Sequence, residues 1–349
     1  MIRFIFSLNI VWSIICLALY LVEGTNPNQF WIFSIASLII PASIIFNFIL
    51  ILFWLIFYIR YAWLPTLIIL FGFSQLNKLI AWNSDSKEKE CKQSKNFEIM
   101  SFNVYGLKNL KDTTDQSFDK NKAQFLTFLR KNDPDILCVQ ENNLFADAVI
   151  NKAEIFPYVH YMINHGAAIY SKFPFLDQGM IDFGTNTNSC LWADVLVEGR
   201  RLRIYSVHMQ SNSITKQVVQ LKDEEEIENI EKFNVVKQML LKYRKMSIRR
   251  ANQADLIQNH ALDSPYPVII AGDLNDTPYS YSYKVLSNNR ADSFLERGNG
   301  FGSTLVGILP GLRIDYLLAD KKKFNFCLHR ILQTSFSDHS PILANAYFK

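Results

Sequence analysis

The chain has 349 residues, 49% of them hydrophobic, with 36 Lys and Arg against 32 Asp and Glu and a net charge of +4. That length suits one large domain or two. Near-neutrality argues against a broad basic face of the kind that binds duplex DNA by displacing counterions from phosphates, and the five cysteines show no CxxC or other metal spacing.

Charge is distributed very unevenly along the chain. Residues 1–82 carry only Arg3, Glu23, Arg60 and Lys78, and everything after them is charged like a soluble protein. Residues 4–22, FIFSLNIVWSIICLALYLV, are long enough to cross a bilayer core of ~30 Å at 1.5 Å per residue. A signal peptide is the alternative, but more hydrophobic sequence comes after it and no small-residue cleavage site precedes a soluble stretch. EGTNPNQ (23–29) is a polar turn, and residues 30–59, broken only by Pro41 and Asn47, predict a second, long or kinked span. A third stretch, 64–82, weakens at Gln75, Asn77 and Lys78 and either crosses the membrane or lies along its surface. Arg3 and Arg60 favour the cytoplasmic side, which places the C-terminal domain outside if the third stretch crosses. Lys78, Lys87, Lys89, Lys92 and Lys95 argue instead that this domain stays inside. The expectation is a multi-pass membrane anchor with an extracytoplasmic C-terminal domain. Cys138, Cys190 and Cys327 sit in strand-like runs and read as small core residues.

NSDSKEKECKQSKN (83–96) reads as a polar linker of at most roughly 50 Å, which would keep the C-terminal domain near the bilayer. From residue 97 the pattern is mixed. A strand at 97–104 carries Asn103; a helix at 119–132, with Asp119 as N-cap, shows an apolar face of Phe125, Leu126, Phe128 and Leu129. DILCVQE (135–141) is a buried strand closing on Gln140 and Glu141. Alternating runs occupy 158–164, 167–172, 189–198 and 201–210, the last bearing His208. Residues 216–262 predict a long helical segment, basic around Arg249 and Arg250. Next comes PVIIAGDLNDTP (267–278), a core strand that delivers Asp273, Asn275 and Asp276 to its C-terminal lip. RIDYLLAD (313–320) carries Asp315, and FSDHSPI (336–342) sets Asp338 and His339 before a last strand. Any one of these is an ordinary strand end or turn; six together are not.

The ordered set of Asn103, Gln140 with Glu141, His208, Asp273 with Asn275, Asp315, and Asp338 with His339 resembles the endonuclease/exonuclease/phosphatase superfamily over about residues 97–349. That resemblance implies a four-layer α/β sandwich, two packed mixed sheets flanked by helices, where the residues alone reach only mixed α/β. It implies a metal-dependent phosphoester hydrolase, with Mg2+ as cofactor and Mn2+ as a substitute. Asn103, Glu141 and Asp338 would hold the metal, and Asp273 would activate water with help from Asn275. His208 and His339 would donate to phosphoryl oxygens, with Asp315 as the partner of His339. Tyr105 departs from the acid that abasic endonucleases place two residues after the metal-site Asn, which favours one metal. The favoured substrate is a lipid-linked or small phosphoester, with duplex DNA disfavoured. A surface nuclease and a catalytically dead binding module are the other readings.

Overall fold

The computed structural model describes residues 2–83, 95–111, 115–185, 187–212, 229–306 and 312–349. The linker predicted at 83–96 and the first part of the helical segment predicted at 216–262 therefore lie largely outside the described residues. Fourteen strands are described among them, in chain order β1 (Ile80–Trp82), β2 (Phe97–Asn103), β3 (Ile136–Gln140), β4 (Tyr158–Tyr161), β5 (Ala167–Ser171), β6 (Phe175–Ile181) and β7 (Ser189–Val197). They continue with β8 (Arg200–His208), β9 (Val268–Asp273), β10 (Arg290–Asp292), β11 (Asn299–Phe301), β12 (Asp315–Asp320), β13 (Phe324–Ile331) and β14 (Ile342–Phe348).

Two six-stranded sheets have the orders β13-β14-β2-β3-β5-β4 and β10-β12-β9-β8-β7-β6, and β1 pairs with β11 apart from them. Each large sheet is antiparallel except for one central parallel pair, β2 with β3 and β8 with β9. Parallel pairs need crossover connections, and helices supply part of both: Asp115–Asn132 precedes β3, and Asn229–Leu262 precedes β9. The sheets face each other across one apolar core, where Phe97, Ile99 and Ile169 of the first meet Leu191, Ile204 and Ile269 of the second. On the outer face of the first sheet, Phe125, Leu129, Val149 and Ile150 from two helices pack on Met100, Phe102 and Val139. On the second, His260 and Gln258 near the end of the long helix bond Tyr205 and Arg290. This is the four-layer sandwich that the superfamily resemblance implies.

The Asp115–Asn132 helix starts before Asp119, which lies within it rather than at its N-cap. The third apolar stretch breaks at Gly72 into helices bent by 69° and ends at Leu79; residues 80–82 form β1 instead. Two helical runs, Ile2–Leu21 and Pro27–Phe57, are long and apolar enough to cross a membrane, and the bent pair makes a third if it counts as one span. Cys327 is disulfide-bonded rather than a free core thiol, whereas Cys16, Cys138 and Cys190 are free and buried.

Two compact units divide the chain, and they are discontinuous. One holds residues 1–79, 210–254 and 277–284; the other holds 80–209, 255–276 and 285–349, including every strand named above. Within the strand unit, His329 of β13 is buried against Ser293, with the Arg313–Asp292 ion pair nearby. Burial, only partly countered by Asp292, pushes its imidazole down to about 4. An unfolded imidazole takes up its proton near pH 6.5, so the neutral folded form is favoured above that value and loses ground as pH falls toward 4. We expect up to about 3 kcal/mol of stability to disappear across that interval. Thermal unfolding of His329→Gln near pH 7.5 and about pH 5 should show a smaller acid-induced drop than the parent; an identical drop would exclude His329 as its source.

Candidate active site

Strand register brings the predicted residues to one end of the sandwich. His208, Asp273 and Asp315 are paired across β8, β9 and β12, while Asn103 at the end of β2 pairs with Gln140 at the end of β3. Both central parallel pairs point their C-terminal ends the same way, so loops from both sheets meet there. Asp273 is 1% exposed and almost fully enclosed by polar partners. Its Oδ1 accepts the Asn275 backbone N–H at 2.7 Å, and its Oδ2 accepts the side-chain amides of Asn103 and Asn275, each at 3.1 Å. His339 Nε2 stands 3.9 Å from Asp273 Oδ2, and its Nδ1 lies 3.0 Å from Asp315 Oδ2. Glu141 Oε1 takes the Asn103 amide at 3.3 Å and faces His208 Nε2 at 3.9 Å. Asn103 thus joins the Glu141 side of the site to the Asp273 side.

The loops that carry these groups are held in left-handed backbone. Tyr105, Gly106 and Leu107 have φ of 51°, 59° and 50°, and Glu141 and Asn275 have φ of 51° and 50°. Such geometry costs of order 1–3 kcal/mol for each non-glycine residue and persists only where surroundings over-determine it. Here they do. Val104 N–H bonds Gln140 O, Gly106 N–H bonds Glu141 O, and Asn143 reaches Gly106 O, so the turns after β2 and β3 lock each other. Ser337 Oγ donates to Asn103 O at 2.7 Å and accepts the His339 N–H at 3.1 Å. Thr304 Oγ1 accepts the N–H groups of Ile314 and Asp315. The sequence suggests only a turn role for Ser337 and is silent on Thr304, because hydroxyls at loop positions look the same whether or not they anchor a catalytic neighbour.

Electrostatics separates the two histidines. Burial alone pushes His339 down, but the carboxylates of Asp315 and Asp273 outweigh it and carry the imidazole to about 10, so it is a cation at neutral pH. Burial dominates at His208, whose pKa falls despite Glu141. With Nδ1 3.1 Å from Thr187 O, a neutral His208 donates there and leaves Nε2 as a bare acceptor. Asp273 moves the other way: burial, then the nearby Asp315, raises it to about 7.

Asp338 is exposed, with Oδ1 3.3 Å from Ser337 Oγ, so it stands at the rim rather than among the buried groups. Tyr105 presents its ring to Lys108 Nζ, 4.0 Å from the centroid. The spacing of Asp273, Asp315 and His339 would allow a metal. His339 Nδ1 is already bonded to Asp315 Oδ2, while its Nε2 faces Asp273 Oδ2. Glu141, the Asn103 amide and Asp338 offer hard oxygen donors of the type Mg2+ prefers.

A family model described as Endonuclease/Exonuclease/phosphatase family matches residues 100–339. The chain belongs to that family. Its members hydrolyse phosphoester bonds, mostly with a divalent metal. A second model, a domain of unknown function (DUF8431), matches residues 2–79. No curated protein matches the chain. Among solved structures, an endonuclease/exonuclease/phosphatase family protein from Bacteroides thetaiotaomicron is 15% identical, covering 74% of this chain and 99% of its own, with a TM-score of 0.52. D. rerio TDP2 complexed with single-strand DNA product is 18% identical, covering 72% and 99%, at 0.52. The human Nocturnin catalytic domain with bound sulfate is 16% identical, covering 73% and 95%, at 0.53. At such identities these structures bear on the fold alone.

Gly272 shows why the GDLN motif of this family member begins with glycine. It lies inside β9 at φ 148°, and a Cβ there would stand 2.0 Å from Val207 O on the neighbouring parallel strand. Gly272→Ala must therefore push β8 from β9 between His208 and Asp273. We expect it to destabilise the fold by roughly 3 kcal/mol or more, read as a lowered unfolding temperature; an unchanged midpoint would mean the strands part freely.

Proposed function

We propose that this chain is a membrane-anchored, Mg2+-dependent phosphoester hydrolase. The observation that carries the reading is the placement of Asp273 between a buried His339–Asp315 pair and the Asn103–Glu141 pair. Hydrolysis needs a positioned base, donors for charge that develops on phosphoryl oxygens, and a Lewis acid. Asp273, raised toward neutrality by burial, suits a base that takes a proton from water. Asn275 bonds both carboxylate oxygens and so fixes the carboxylate's orientation toward that water. His339, cationic through Asp315, is the standing donor to a phosphoryl oxygen. His208 becomes a second donor once the phosphate's own charge favours its protonation. Glu141, with Asn103 and Asp338, would hold the cation, which neutralises phosphoryl charge when bound.

Asp273→Asn and His339→Ala should each lower kcat by about 100-fold or more while leaving unfolding unchanged. Glu141→Gln should raise the Mg2+ needed for half-maximal activity far more than Tyr105→Phe. Near-wild-type turnover in the first two variants, or equal metal shifts in the second pair, contradicts the assignment. For substrate we favour a lipid-linked or small phosphoester, on near-neutral charge, apolar N-terminal helices and Tyr105 in place of an acid. The single-strand DNA product seen with D. rerio TDP2 motivates the nuclease alternative. Rates on phospholipid and polyprenyl phosphates against rates on single-strand and duplex DNA, at near-physiological salt, decide between them. DNA cleavage with no lipid or small phosphoester turned over would establish the nuclease.

We also propose that the strand unit lies outside the cytoplasm. The disulfide at Cys327 supports this, because such bonds persist in oxidising compartments and are rare in the cytosol. A reporter active only outside the membrane, fused after Lys349, should function. A silent fusion matched by an active cytoplasmic reporter would reverse the orientation.

A further inference from the structure

Two strands that end in site residues are followed at once by segments that belong to the apolar helical unit. His208 and Met209 lead to Gln210, where residues 210–254 join that unit; Asp273, Asn275 and Asp276 lead to Thr277, where residues 277–284 join it. Contacts inside the helical unit show how firmly both segments are built in. Tyr279 is 1% exposed, donates its hydroxyl to Gln75 O at 2.9 Å, and accepts the Gly24 N–H on its own carbonyl at 3.1 Å. Lys78, ion-paired to Glu23, lies over the rings of Tyr279 and Tyr283. Thr277 Oγ1 donates to Ser37 O at 2.9 Å.

The segment after His208 is held in the same way. Arg250 is completely buried, and its Nη1 donates to Gln210 O and to Asn212 Oδ1. Gln253 accepts the Gln210 N–H at 2.9 Å, and further along the same helix Tyr243 donates to Ser34 O. Arg249 and Arg250, the basic pair noted in the sequence, bond residues 210–212.

We propose that the N-terminal helices are not a detachable tether but a positioning element of the reaction proposed above, with Tyr279 as its principal contact. Asn275, which orients Asp273, is four residues from Tyr279, and a chain of four residues has little freedom when its far end is bonded on both faces. Loss of Tyr279 then lets the Asp273–Asn275 turn drift, and misplacement of about 1 Å in a reacting group costs up to ~100-fold in rate. An anchor that served only to hold a soluble domain near a bilayer would not share its helices' hydrogen bonds with the catalytic turns' continuations.

The test uses the full chain in detergent micelles, with a protease site inserted between residues 83 and 95 and a tag after Lys349. After cutting, residues 1–83 should co-purify with the tagged remainder, because residues 210–254 and 277–284 are packed among them. Separation of the two pieces overturns the proposal, and this readout holds even if the phosphoesterase reading fails. In the uncut enzyme, Tyr279→Ala should lower kcat about 10- to 100-fold, with KM and the Mg2+ requirement within about threefold, since Asn103 ends β2 and Glu141 follows β3. Tyr279→Phe, which keeps the ring and loses one hydrogen bond, should recover most of that loss. An unchanged kcat in Tyr279→Ala, or a fall that appears only in KM, defeats the positioning role.

Discussion

Burying the carboxylate of Asp273 is the constraint on which the site depends. An isolated ionised acid with 1% exposure is strongly disfavoured in a protein interior. It becomes tolerable because Asn103, Asn275 and His339 arrive from three other points of the chain to hydrogen-bond or neutralise it. None of those partners is local in sequence except Asn275, so the sandwich must form before the charge can be borne. The same burial, aided by Asp315, lifts Asp273 toward neutrality, so a destabilising environment and a useful basicity are one property.

Backbone strain around the site obeys the same logic. Tyr105, Leu107, Glu141 and Asn275 all sit in left-handed geometry, which a large core can offset and a small one cannot. The two inner sheet faces provide that core, and the mutual hydrogen bonds of the turns after β2 and β3 leave neither free to relax alone. Asn103 and Glu141 are consequently presented by a rigid pair of loops, which is what the cation site proposed above requires.

Sequence revealed those features that depend on local pattern. The strands ending at Asn103, Gln140, His208 and Asp273 announce themselves by apolar runs closing on polar residues, and the motif order then implied the sandwich. β6 escaped because none of its residues is fully buried and only Phe175 and Met180 pack against the core, too sparse a pattern to read as a strand. β13 had a readable signal, Phe324, Phe326 and Leu328 alternating along FNFCLHRI, but it directly follows a strand and a three-lysine turn and was absorbed into neither. Ser337 and Thr304 were illegible because their roles exist only in the register of distant loops. The disulfide at Cys327 was hidden for a related reason, since a buried cysteine in a strand reads as a small apolar residue whichever state its sulfur is in.

The discontinuity of the helical unit also bears on how the protein is made. Chains emerge from the ribosome N-terminus first and domains tend to fold as they appear. Residues 1–79 are complete long before residues 210–254 and 277–284 exist, and those arrive only after β2 to β9 have been synthesised in between. Helices destined to share hydrogen bonds with Tyr279 and Thr277 therefore stand unfinished while most of the sandwich is translated. Closure of such long-range contacts is slow relative to helix formation, and completing the helical unit joins the earliest-made part of the chain to segments made well after it.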